Sequence, residues 1–107
     1  MSDTPIIKPR SDGMWELVED YQGVPAGFVT DGASVPRFLW RVLGPPLEAD
    51  TIGAAVKHDW EYARAARPRA DIDADFYFDL RADGVGVIRS ALYWLGVRIG
   101  GGAAYGH

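Results

Sequence analysis

Two punctuation marks divide the second half of this chain and leave it little choice of fold. From residue 51 onward the apolar residues recur at helical spacing, interrupted at Pro68 and Gly84 and ending in Gly100-Gly101-Gly102. Proline inside a helix removes a backbone donor and clashes with the preceding turn, and glycine is the residue on which helices most readily end. The pattern predicts three helices, over 51–66, 71–82 and 86–99, with Asp50 or Thr51 as the first cap. Short connections between them make consecutive helices pack antiparallel.

Ahead of residue 36 the pattern is that of strands. Met14-Trp15-Glu16-Leu17-Val18 and Gly27-Phe28-Val29-Thr30 are short and rich in aromatic and β-branched residues, with the turn-forming Gln22-Gly23-Val24-Pro25-Ala26 between them. Together they predict an antiparallel hairpin. Pro36-Arg37-Phe38-Leu39-Trp40-Arg41-Val42-Leu43 then begins with proline at a first helical position and stops at Gly44-Pro45-Pro46, a further short helix. The expected class is α+β: a short N-terminal β-hairpin followed by a mostly helical bundle of three to four helices. A length of 107 residues fits a single domain, 1–107, and the glycine-rich end reads as a frayed tail.

Composition removes several functions. A formal net charge of −4 argues against a protein that binds nucleic acid by neutralising phosphates, since such domains carry a clustered Lys/Arg excess. Without cysteine there is no disulfide and no thiolate metal site, so any metal would sit on oxygen or imidazole ligands, which favours hard cations such as calcium. No apolar run approaches the ~20 residues of a transmembrane segment. The start Met1-Ser2-Asp3-Thr4-Pro5 lacks the order of a signal peptide, so cytoplasmic synthesis is expected.

Candidate chemistry lies on the central helices. Ile52, Ala55, Val56, Asp59 and Ala63 share one stripe at helical spacing, and Asp59 is its odd member. His58 and Tyr62 form an i, i+4 pair on the adjoining face. On the next helix Asp73, Phe76, Tyr77 and Leu80 make a second apolar stripe that again contains an acid, with Asp75 and Asp79 further round. Antiparallel packing would bring His58 and Asp73 together. One carboxylate of such a group can fix the imidazole tautomer and leave the other ring nitrogen as a general base towards water, while the remaining carboxylate is available to a cation. The competing reading is a structural network of buried acids with Arg64, Arg69 or Arg81 as partners.

Two further segments carry paired readings. Asp31, in Thr30-Asp31-Gly32-Ala33-Ser34, either caps with Ser34 the short helix near Pro36 or offers a loop oxygen to a ligand or metal. The last helix carries Ile88, Ala91, Leu92, Tyr93, Trp94, Leu95, Val97 and Ile99, apolar almost all round, so it is either buried or meets a partner, a lipid surface or another copy.

Gly27 to Pro36, then His58-Asp59-Trp60-Glu61-Tyr62, then Asp73 with Phe76, then Tyr93-Trp94 and Val97-Arg98, resemble the phage and prophage family DUF1353. The resemblance spans most of the chain from Gly27 to Gly101 and implies a phage or prophage origin without an activity. It places the protein in the host bacterial cytoplasm or the virion, with a phage structural or host envelope component as partner. Over the two central helices alone, His-Asp-x-x-Tyr followed by an Asp three residues before a Phe is similar to the active-site helices of phospholipases A2. That similarity implies His58 as general base, Asp59 as the calcium ligand, Tyr62 as a supporting hydrogen-bond donor and Asp73 as the partner of His58, with Asp31 of the separate loop as a second candidate metal ligand. The chain departs from those enzymes in lacking disulfides and a recognisable glycine-rich calcium loop, for which Thr30 to Ser34 is a candidate substitute. The two expectations are a calcium-dependent hydrolase of lipid or other esters and a non-catalytic virion-assembly or host-interaction protein in which the cluster is structural.

Overall fold

The computed structural model describes residues 4–30, 40–41 and 50–106. Its N-terminal part is a three-stranded antiparallel sheet of β1 (Ile7–Pro9), β2 (Trp15–Leu17) and β3 (Val29–Thr30), in that order. The expected hairpin is the β2–β3 pair, with Trp15 opposite Thr30 and Glu16 opposite Val29. Its connection contains a second tight turn, where Tyr21 and Val24 exchange both backbone bonds at 2.8 Å across Gln22 and Gly23, which have φ of 45° and 88°. Positive φ at both central residues matches the twist of a two-residue hairpin. Strand β1 is an addition to the expected sheet. Pro9 argues against a strand because it donates no hydrogen bond, and it is tolerated here because β1 is the edge.

Three helices follow among the described residues: α1 (Ile52–Arg64), α2 (Arg69–Ala82) and α3 (Val87–Gly100). Two boundaries differ from expectation by more than one residue. Helix α1 ends at Arg64 because Ala65 turns left-handed, with φ of 49° and its N–H on the Glu61 carbonyl. Pro68 is the N-cap of α2 rather than the stop of α1, since its ring sets φ at −55° and lets the helix begin at Arg69. Helix α2 stops as expected at Gly84, where φ of 93° allows Gly84 N–H to reach the Arg81 carbonyl and Val85 N–H to reach that of Leu80. This double bond satisfies two helix-end carbonyls, and Val85 packs back among the buried side chains. Of the short helix expected from Pro36, only Trp40 and Arg41 are within the described residues, and both are helical.

Helix α1 divides the core. Leu17, Tyr21 and Val24 pack with Ile52 and Val56 on its sheet side. Ala54 joins Phe76, Leu80, Val85, Tyr93 and Val97 on the side of α2 and α3. Ile52, Ala55, Val56 and Asp59 are buried as their stripe predicts, whereas Ala63 is exposed, because beyond Asp59 the covered face passes to Tyr62. Gly53 marks a close approach, since a Cβ there would collide with the Tyr21 hydroxyl. Gly53→Val is expected to lower the unfolding free energy by about 1–3 kcal/mol through overpacking. Urea unfolding of this variant alone and with Tyr21→Phe checks the cause, because deleting the hydroxyl should recover part of the loss.

Helix α3 is buried on one face only, so of its two readings full burial does not hold. Tyr93 and Val97 are fully covered, while Ile88 and Ile99 are 78% and 74% exposed, with Leu92 and Leu95 exposed between them. A single layer of neighbours covers one side of a helix. Among the described residues no helix is long and apolar enough to cross a membrane. The chain end is also not a frayed tail over its described part. A 3-10 turn, Gly102–Ala104, carries it back along α1, so that Gly106 N–H reaches the Tyr62 carbonyl at 2.8 Å and the Tyr105 hydroxyl reaches the Arg67 carbonyl at 2.6 Å. The Tyr105 ring meets Tyr62 edge-on at 5.4 Å.

Candidate functional site

Helical spacing places His58 and Tyr62 one turn apart on α1, and the antiparallel α2 presents Asp73 to both. His58 Nε2 lies 2.7 Å from Asp73 Oδ1, and the Tyr62 hydroxyl donates to the same oxygen at 2.5 Å. From α3, Arg98 Nη1 donates to Asp73 Oδ2 at 2.9 Å. Arg69 Nε donates to the Tyr62 hydroxyl at 3.0 Å, and its Nη2 caps the end of α3 through the carbonyls of Val97 and Arg98. One carboxylate thus gathers donors from two other helices.

The side chains of His58 and Asp73 have 0% exposure. The imidazole is held between the rings of Tyr62 and Phe76, at 4.1 and 4.6 Å. Among the described residues no buried side-chain nitrogen or oxygen lacks a partner. A surface pocket of about 120 Å³ lies between α1 and α2, and its lining residues include His58, Ile72, Phe76 and the pairs Lys57–Asp79 and Arg67–Asp75.

Burial pushes the His58 pKa below its ordinary value, against the pull of Asp73, so the ring is neutral at neutral pH. For Asp73 burial acts upward, but the hydrogen bonds from His58, Tyr62 and Arg98 outweigh it and hold the carboxyl below the usual range. The Tyr62 hydroxyl is pushed up, first by burial and then by its bond to Asp73. An anionic Asp73 accepts from both neighbours, so Nε2 carries the proton of the neutral imidazole and Nδ1 holds the lone pair.

Both shifts give stability a sign against pH. Unfolded His58 takes up a proton at about pH 6.5 and unfolded Asp73 at about pH 3.9, each before its folded counterpart does. The unfolded state therefore binds more protons as pH falls, and stability drops. Urea unfolding is expected to show full stability above about pH 6.5, a first decline just below it from His58 and a second below about pH 4 from Asp73. An unfolding free energy that stays level from pH 7 to pH 5 would contradict the depressed His58 value.

The dipeptide His58-Asp59 divides its roles. His58 goes to Asp73, and Asp59, 8% exposed, accepts a hydrogen bond from the Thr30 hydroxyl on β3. This fixes which carboxylate serves the imidazole. Among the described residues no group of three or more His, Asp or Glu is placed to hold a metal ion, and Asp31 lies outside them. Of the arginines expected to partner a buried acid, Arg69 does so through Tyr62 and stands 3.9 Å from Asp73 itself. Arg81 instead donates to the Val85 carbonyl and Arg64 lies over the Trp60 ring. The direct partner, Arg98, escaped the sequence reading. The signal for it was the antiparallel order of the helices, which carries the last turn of α3 towards the first turns of α2.

An uncharacterized protein of Sinorhizobium fredii, y4jT, is 39% identical over 72 residues, which is 66% of this chain and 21% of that protein. A second from the same organism, y4iH, is 41% identical over 56 residues, 52% of this chain and 23% of its own length. The chain therefore spans about a fifth of the curated relatives it matches. No solved structure matches. The model of a family described as a protein of unknown function, DUF1353, matches residues 14–97, a span that takes in β2, β3, His58, Tyr62 and Asp73, and the chain belongs to that family.

Proposed function

We propose that His58, Asp73 and Tyr62 form a hydrolase-like general-base site, in a phage- or prophage-encoded protein that acts on an ester of a lipid or envelope component. The observation that supports this reading is the 2.7 Å contact of His58 Nε2 with Asp73 Oδ1. It sets the tautomer with the proton on Nε2. On this reading the enclosed ring, 0% exposed, is uncovered when substrate binds, Nδ1 then takes a proton from water as the water oxygen attacks an ester carbonyl, and Asp73 stabilises the imidazolium. Tyr62, donating to Asp73, holds the carboxylate in place. The phage setting comes from the family resemblance. Calcium enters this reading through Asp59 and Asp31. The described residues supply only Asp59 and Thr30 on that side, an incomplete donor set, so no step is derived through the ion.

The test is hydrolysis of mixed phospholipid vesicles by the purified protein, with calcium and with chelator, beside His58→Ala. Hydrolysis that depends on His58 supports the site, and dependence on calcium adds the cation. A result that changes with neither removes the proposal. The second reading is a non-catalytic virion-assembly or host-interaction protein in which the cluster ties three helices together. The complete enclosure of the His58 and Asp73 side chains favours it.

A further inference from the structure

The geometry points to Arg98 as a positioning residue that orients the Asp73 carboxylate and thereby fixes His58 in the tautomer with its proton on Nε2. The functional consequence rests on the general-base reading of His58, whereas the tautomer itself does not.

A carboxylate with two oxygens can turn about its Cβ–Cγ bond and offer either one to a neighbour. At Asp73 the two oxygens have separate duties. Oδ1 accepts from His58 and Tyr62 of α1, and Oδ2 accepts from Arg98 of α3 at 2.9 Å. Holding Oδ2 from α3 keeps Oδ1 directed at Nε2. The remaining charged group that faces the carboxylate, Arg69 on its own helix, is 3.9 Å from Oδ2 and spends its donors on Tyr62 and on the carbonyls of Val97 and Arg98. Those carbonyl bonds hold the last turn of α3, which sets where the Arg98 side chain starts. Arg98 is one-third exposed and Asp73 is wholly enclosed, so the arginine reaches inward from the surface to a buried anion. Charge-assisted hydrogen bonds of this kind are the stronger ones, and they orient as well as attract.

The experiment is NMR of the imidazole nitrogens in 15N-histidine-labelled protein carrying His107→Gln, which leaves His58 as the single imidazole. At pH 8 the parent is expected to show the Nε2–H tautomer with a slowly exchanging Nε2 proton. Arg98→Met should speed exchange of that proton by about tenfold or more, the value of one lost charge-assisted hydrogen bond, and make the Nδ1–H form detectable. Arg98→Lys, which keeps a charged donor, should restore the parent spectrum. Thermal unfolding confirms that each variant is folded. Where Arg98→Met fails to fold, Arg98→Gln is read in its place, with the same tautomer change expected. A folded uncharged variant with the parent's tautomer and exchange rate overturns the inference, as does a Lys variant that behaves like Met. If the tautomer responds to Arg98 but the parent hydrolyses no ester, only the catalytic reading falls.

Discussion

Replacing Asp73 with alanine is expected to lower the unfolding free energy by about 3–5 kcal/mol, the usual cost of removing one partner from a buried charged pair. The residue has 0% exposure, so no water stands ready to replace it. Its loss takes the acceptor from His58 Nε2, from the Tyr62 hydroxyl and from Arg98 Nη1 together, and it leaves a cavity between α1 and α2. Small domains are stable by only about 5–15 kcal/mol, so this single change should remove a large part of the whole. Asp73→Asn keeps the shape and one acceptor oxygen and should cost less, about 1–3 kcal/mol. Urea unfolding at pH 7.5 checks both. A loss below about 1 kcal/mol for the alanine variant would mean that the three donors find other acceptors and that Asp73 does not tie the helices together.

Much of this arrangement was legible in the sequence because it follows from period and punctuation. Helical spacing fixes which residues of α1 stand beside Tyr62, and Pro68 and Gly84 fix where the chain reverses. An acid inside each apolar stripe then marks the interface as chemically unusual, and Asp73 meets His58 there. What stayed hidden depends on orientation rather than period. Helix α3 is apolar almost all round, so its sequence does not say which face it turns inward, and without that face Arg98 has no assigned neighbour. Strand β1 was masked by Pro9, whose missing donor matters only in a strand with partners on both sides. The return of Tyr105 and Gly106 to α1 was masked by glycines that read as a free end, although the chain reverses after α3 through the 3-10 turn Gly102–Ala104. In each case tertiary packing decides between local alternatives that propensity leaves equal.

The kinetic consequence of His58 separates the two functional readings most widely. A positioned general base contributes a factor of about 10²–10⁴, so on the catalytic reading His58→Ala should cut ester hydrolysis by that amount in protein that is still folded. Asp73→Asn should cut it as well, because an amide nitrogen that donates towards Nε2 favours the other tautomer and places the ring proton on Nδ1, where the base is needed. Tyr62→Phe keeps the ring against His58 and removes one donor to Asp73, so its effect should be the smallest of the three. On the structural reading the order differs. Any loss then follows the fraction unfolded, and lowering the temperature or adding a stabilising osmolyte restores it. Rates measured for all three variants under conditions where their unfolding curves show the native baseline therefore decide the matter. Wild-type turnover by folded His58→Ala would leave the His58–Asp73 pair as a helix clamp.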